Sequence, residues 1–207
     1  NPNNPTGISV DSSDVQKLLD GIPDDVPVLI DEAYHHFVQN PNYETAIPHV
    51  LEGRPVIVAR TFSKIYGMAA IRLGYGIASP EMIEKMRPHQ TGNVSVLARW
   101  GGVAALKDRA SEETFLKDTL DLRNKTMGEL QAMGHRILPS DTNFFFVYTG
   151  RPVAEVQEAF RKKGVLVGRP FPPMLDYLRV SIGTAEEMAR FMVAWKEIMP
   201  AVAADSL

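Results

Sequence analysis

Four groups of polar residues stand where apolar runs of this chain stop. Val26-Pro27-Val28-Leu29-Ile30 is followed by Asp31, and Pro55-Val56-Ile57-Val58-Ala59 runs into Arg60-Thr61, with Ser63 and Lys64 just beyond. Ligands of open α/β sheets bind outside the carboxyl ends of the strands. A carboxylate, two hydroxyls and a primary amine would therefore share one rim. Asn4 lies in an opening run of turn formers, Asn1 to Gly7, and Arg72 stands eight residues past Lys64. Two further arginines sit at strand positions. Arg179 lies between Leu178 and Val180 and faces opposite to both, while Arg169 closes the run Val165-Leu166-Val167-Gly168.

The elements that must position these groups follow from hydrophobic periodicity. Ser12 or Ser13 caps a helix through about Leu19. The runs Val26–Ile30 and Pro55–Ala59 read as buried strands, Leu73–Ala78 as a third, with a short helix after Lys64. Unbroken β-branched runs separated by helices indicate a sheet covered on both faces, an α/β architecture. Helices are expected from Pro80 to about Arg87, from Val94 to Leu106, and from Glu112 to Met133, where Gly134 ends a long amphipathic stretch. The remainder reads as strands at Arg136–Leu138, Phe144–Tyr148, Val165–Val167 and Leu178–Ile182, with helices at Pro152–Lys163 and Ala185–Met199. That pattern suggests a separate, smaller α+β unit. The expected organisation is residues 1–111 as part of a large domain, 112–134 as an interdomain helix and 135–207 as a small C-terminal domain.

Composition excludes several classes. The 207 residues are 44% hydrophobic and 23% charged, which is ordinary for a globular protein and not for a disordered chain. With 22 basic and 25 acidic residues the net charge is −3, so no basic field attracts a nucleic-acid backbone. No apolar run approaches the about 18 residues of a membrane span. The absence of cysteine removes disulfides, thiolate metal sites and a Cys nucleophile. His35-His36 is an adjacent pair whose rings are expected to diverge, and no His/Asp/Glu set has metal-ligand spacing, so no metal is expected.

Taken in order and spacing, these residues resemble the fold-type I pyridoxal-phosphate aminotransferases, and within them the histidinol-phosphate aminotransferases. The matching segments are Asn1-Pro2-Asn3-Asn4-Pro5-Thr6-Gly7, Asp31-Glu32-Ala33-Tyr34, Thr61-Phe62-Ser63-Lys64 with Gly67, Arg72, Gly74 and Tyr75, and Leu178-Arg179-Val180-Ser181-Ile182-Gly183-Thr184. The resemblance implies a pyridoxal 5'-phosphate enzyme with Lys64 as the Schiff-base lysine and proton carrier. It implies Asp31 as a buried partner of the pyridine nitrogen, and Tyr34 and Asn4 as donors to the phenolic oxygen. Arg72, Thr61 and Ser63 would hold the cofactor phosphate. Arg179 would grip the acidic group of the substrate, Arg169 would help hold a substrate phosphate, and Asn93 and Asn143 would support.

The implied activity is transfer of an amino group between an amino acid, or a histidinol-phosphate-like amine, and a 2-oxo acid. A decarboxylase or lyase resembling the threonine-phosphate decarboxylases shares the turn and the lysine segment. A non-catalytic remnant of the fold is the third reading. The family pattern further implies a cytoplasmic homodimer without nucleic-acid or membrane partners. The chain opens on Asn1, inside a turn into which a strand should lead, so it reads as the C-terminal part of the family's usual sequence. The preceding half would supply more of the phosphate cup and an aromatic that stacks on the ring, and the fragment alone is expected to be unstable and inactive.

Overall fold

Residues 1–199 are described by the structure, a computed structural model. They form two compact units. The first comprises Asn1–Pro2 and Ser9–Leu116, and the second Asn3–Ile8 and the chain from Lys117 onward. The division falls inside a long helix, and residues 200–207 of the expected small domain lie outside the described residues.

The first unit is built on a three-stranded sheet in the order β1 (Val28–Asp31), β2 (Val56–Thr61), β3 (Gly74–Ile77). β1 and β2 run parallel, with Asp31 opposite Ala59. β3 is antiparallel to β2, with Gly74 opposite Thr61. Helix α1 (Ser12–Asp20) and the short α2 (Ile47–Leu51) cover one face. There Leu19, Ala46 and Val50 pack on Val56 and Val58, joined by Val28, Ile30 and Ile77. Side chains alternate across a strand, so Leu29 and Asp31 turn to the other face, where Leu29 is 63% exposed. α3 (Pro80–Met86) starts on Ser79, whose hydroxyl accepts from the Met82 amide. α4 (Val96–Lys107) and the first turns of α5 (Arg109–Ala132) complete the unit.

The second unit pairs β4 (Phe144–Tyr148) with β5 (Tyr177–Ser181), antiparallel, placing Phe146 opposite Arg179. The rest of α5, α6 (Val153–Lys162) and α7 (Ala185–Ile198) enclose a core of Leu130, Phe145, Val147, Val156, Phe160, Leu178, Phe191 and Trp195. Phe160 stacks on Phe191 at 5.4 Å, and Trp195 packs against both. α7 opens on a capping box in which the Thr184 hydroxyl accepts from the Glu187 amide and the Glu187 carboxylate from the Thr184 amide.

Two expected strands do not form ladders. Arg136–Leu138 makes a single bridge, Ile137 with Val147. The run before Arg169 meets β5 through the Gly168 amide on the Arg179 carbonyl, 3.1 Å away. One bond does not make a strand. Gly168 is required at that approach, since a Cβ there would lie 2.5 Å from the Arg179 carbonyl oxygen.

Candidate functional site

In the first unit the parallel register of β1 and β2 sets the carboxyl ends of both strands side by side. Adjacent strands lie about 4.8 Å apart, so Asp31 and the Thr61–Lys64 turn flank one sheet end. The Asp31 carboxylate accepts from the Ala33 amide at 2.9 Å and the Thr61 hydroxyl from the Ser63 amide at 3.0 Å. Each strand end is thus closed by a tight side-chain turn. The Lys64 amine stands over the buried Tyr34 ring, 5.2 Å from its centroid. Asp31 is exposed in this chain, not buried as the sequence reading required; it lies on the open face of the sheet.

Arg72 carries the one positive φ among the described non-glycine residues, at φ 59 and ψ 52. A left-handed conformation costs an L residue about 1–2 kcal/mol, and such strain gathers at binding sites. The Arg72 guanidinium donates to the Ala69 carbonyl at 2.8 Å, which holds the side chain back along its own loop.

His35 and His36 depart from the expectation that their rings diverge. In a single 3-10 turn after Tyr34 the ring centroids lie 3.8 Å apart. Burial first, then His36 and Arg60, push His35 from its usual 6.5 to about 3. Burial also lowers His36, with Arg60 and Arg109 adding to it and Glu112 and Glu32 opposing. The unfolded chain takes up a proton at His35 near its usual value and the folded chain only near 3. The stabilisation is therefore complete above about pH 6.5 and is lost as pH falls toward 3. A His35→Phe variant is expected to lose less stability than the parent between about pH 7 and pH 5. Urea-unfolding midpoints at the two pH values check this, and equal losses in both proteins would refute it.

The second unit gathers the other polar residues. Asn4 sits in the turn Asn3–Ile8, where the Asp141 amide donates to the Gly7 carbonyl at 2.7 Å. Gly7, at φ +82, faces Ser140 so closely that a side chain there would collide with it. So placed, the Asn4 amide oxygen accepts from Arg179 at 3.0 Å. The Arg179 guanidinium lies over two rings, Phe171 at 4.5 Å and Phe144 at 4.8 Å, and Arg169 lies over Phe171 at 4.2 Å. Two arginines ten positions apart thus share one aromatic platform, each contact worth about 0.5–2 kcal/mol. The planar forks beside one another suit a carboxylate or phosphate.

Lys64, Tyr34, Asp31, Thr61 and Ser63 belong to the first unit, and Arg169, Arg179 and Asn4 to the second. Arg72 belongs to the first unit but leans on its own loop. Asn4, expected beside Tyr34, is bonded to Arg179. Asn143 contributes its carbonyl, which accepts from the Ile182 amide at 2.9 Å, and Asn93 is exposed. Sequence reasoning missed Phe171, Thr45, and the charged pair Glu32 and Arg60, which meet at 2.8 Å with Glu32 only 1% exposed. The available signal was position: each of the pair adjoins a residue already singled out, at the end of an apolar strand.

A family model described as aminotransferase class I and II matches residues 1–194. The histidinol-phosphate aminotransferase of Moorella thermoacetica is 38% identical over 202 residues, covering 96% of this chain and 52% of that protein. That of Symbiobacterium thermophilum is 39% identical over 198 residues, covering 94% and 54%. The crystal structure of histidinol-phosphate aminotransferase from Sinorhizobium meliloti in complex with pyridoxal-5'-phosphate superposes with a TM-score of 0.86 at 25% identity, over 98% of this chain and 56% of that one. The chain spans about half the length of the curated relatives it matches.

Proposed function

We infer the function from a family premise: this chain belongs to the aminotransferase class I and II family. The full-length protein is a pyridoxal 5'-phosphate enzyme that moves an amino group between an amino acid or amino phosphate and a 2-oxo acid. The observation that carries this reading is the Lys64 amine over the Tyr34 ring, at the same sheet end as Asp31. The donor set fits the cofactor. An aldehyde needs a primary amine such as Lys64, a pyridine nitrogen a carboxylate such as Asp31 to hold its proton, and a phosphate a set of N–H and O–H donors such as Ser63, Thr61 and Arg72.

Bound pyridoxal phosphate would supply an electron sink for the bond broken at the substrate α carbon. Lys64 would hold the cofactor through its amine and would move the proton at the substrate α carbon. Asp31 would hold the proton on the ring nitrogen by Coulomb attraction. Tyr34 would donate its hydroxyl to the phenolic oxygen. Arg179 holds the substrate's acidic group, with Asn4 fixing the guanidinium, and Arg169 reaches a second anionic group such as a phosphate. The full-length protein acts as a cytoplasmic homodimer. Among the described residues no helix is long and apolar enough to cross a membrane.

The test is to incubate the full-length protein with pyridoxal phosphate, reduce with borohydride and map the adduct. A stable adduct on Lys64 is expected; none, or one on another lysine, would overturn the reading. Product analysis on the same preparation separates transfer, which yields a 2-oxo acid, from decarboxylation, which releases carbon dioxide.

A further inference from the structure

Beneath the strand ends lies a charged cluster built on the buried carboxylate of Glu32, a residue given no role in holding the cofactor. Glu32 follows Asp31 directly, and Arg60 precedes Thr61 directly. The Glu32 carboxylate accepts from Arg60 Nε at 3.1 Å and Nη2 at 2.8 Å. It also accepts from the Ala46 amide, the N-cap of α2, at 2.7 Å, and from the Thr45 hydroxyl at 2.8 and 2.9 Å. The Thr45 oxygen in turn accepts from Arg60 at 2.9 Å. Tyr75 on β3 lies opposite Arg60 in the ladder. The cluster thus ties the end of β1, β2 and the start of α2 together at one point, one residue away from each half of the candidate site.

From this geometry we propose that Glu32, Arg60 and Thr45 form a positioning clamp that fixes the spacing between the Asp31 turn and the Thr61–Lys64 turn. The inference rests on the cofactor reading given above. A carboxylate in the core needs its lone pairs filled, and here four donor groups fill them, so the pair is held in one geometry. Because the two charges cancel, the clamp fixes position without adding net charge beneath the ring. Two nitrogens of one guanidinium on the same carboxylate oxygen also restrict the pair more than a single bond would, and rigid support of this kind is what holds reacting groups within a fraction of an ångström.

Glu32→Gln and Thr45→Val in the full-length protein test the clamp. Neither residue is assigned a contact with cofactor or substrate. In Glu32→Gln, pyridoxal phosphate is expected to bind at least tenfold more weakly. The visible circular dichroism of the bound cofactor, which reports its orientation, should fall at least twofold while the far-ultraviolet spectrum is kept. Thr45→Val should shift both in the same direction by less. Wild-type affinity and visible dichroism in folded variants would overturn the proposal, and if Glu32→Gln does not fold, Thr45→Val decides by the same readouts. Hydrogen exchange at the Ala33 and Ser63 amides in the cofactor-free protein gives an arm independent of the cofactor. At least tenfold faster exchange in both variants supports the clamp, and unchanged exchange overturns it. Failure of the wild-type protein to bind pyridoxal phosphate would instead sink the cofactor reading.

Discussion

Lys64→Arg in the full-length protein is expected to lower amino transfer by about 10⁴-fold, the upper range for losing a positioned acid–base group. Arginine keeps the positive charge and much of the length, so contact with the Tyr34 ring, 5.2 Å from the lysine amine, need not be lost. What disappears is the neutral amine. A guanidinium stays protonated at any accessible pH, so it neither attacks an aldehyde nor accepts a proton from carbon. Lys64 is half-buried and placed after the last residue of β2, outside the packed cluster of Val56 and Val58, so the fold should tolerate the change. Single-turnover measurement with an amino donor checks the prediction. Activity within tenfold of the parent would remove Lys64 from the chemistry.

Arg179→Ala is expected to cost about 2–5 kcal/mol in kcat/KM, the range for losing one member of a desolvated charge pair. The guanidinium is held by Asn4 at 3.0 Å and stacked on Phe171 and Phe144, so its planar fork is ordered before a substrate arrives. Preorganisation of this kind lowers the cost of binding. Arg179→Lys should recover little, since an ammonium offers a point charge and no fork. Arg169→Ala separates substrate classes. It shares the Phe171 platform, so it should weaken an amine that carries a phosphate at least tenfold and leave a simple amino donor nearly unchanged. Steady-state kinetics with both donors check this. Equal effects of Arg169→Ala on the two would mean that it reaches no second anionic group.

The ends of apolar runs were enough to place Lys64, Asp31, Thr61 and Ser63 at the ends of β1 and β2. A parallel strand must be apolar along its length, so the first polar residues after it are forced to the rim. Helices with strong periodicity, such as α5, α6 and α7, were equally legible, because one stripe must bury itself. The resemblance of the motifs added roles that spacing does not carry. Burial was less legible: Val26–Ile30 reads as covered on both sides, yet Leu29 is exposed, since whether a second layer lies on a sheet face is not written in the strand.

What the tertiary structure alone decided is who meets whom across the chain. Asn4 and Arg179 are 175 positions apart and bond to each other. Arg169 joins Arg179 because Gly168 lets two backbones approach and Phe171 presents its ring to both guanidinium groups. Glu32 and Arg60 look like ordinary surface charges in the sequence and become an ion pair with a buried carboxylate when β1 and β2 take their register. Local patterns specify which residues reach the rim, because periodicity and strand termination act over a few residues. Partnerships between distant charges depend on register and on which faces close over them, and these arise when the chain packs.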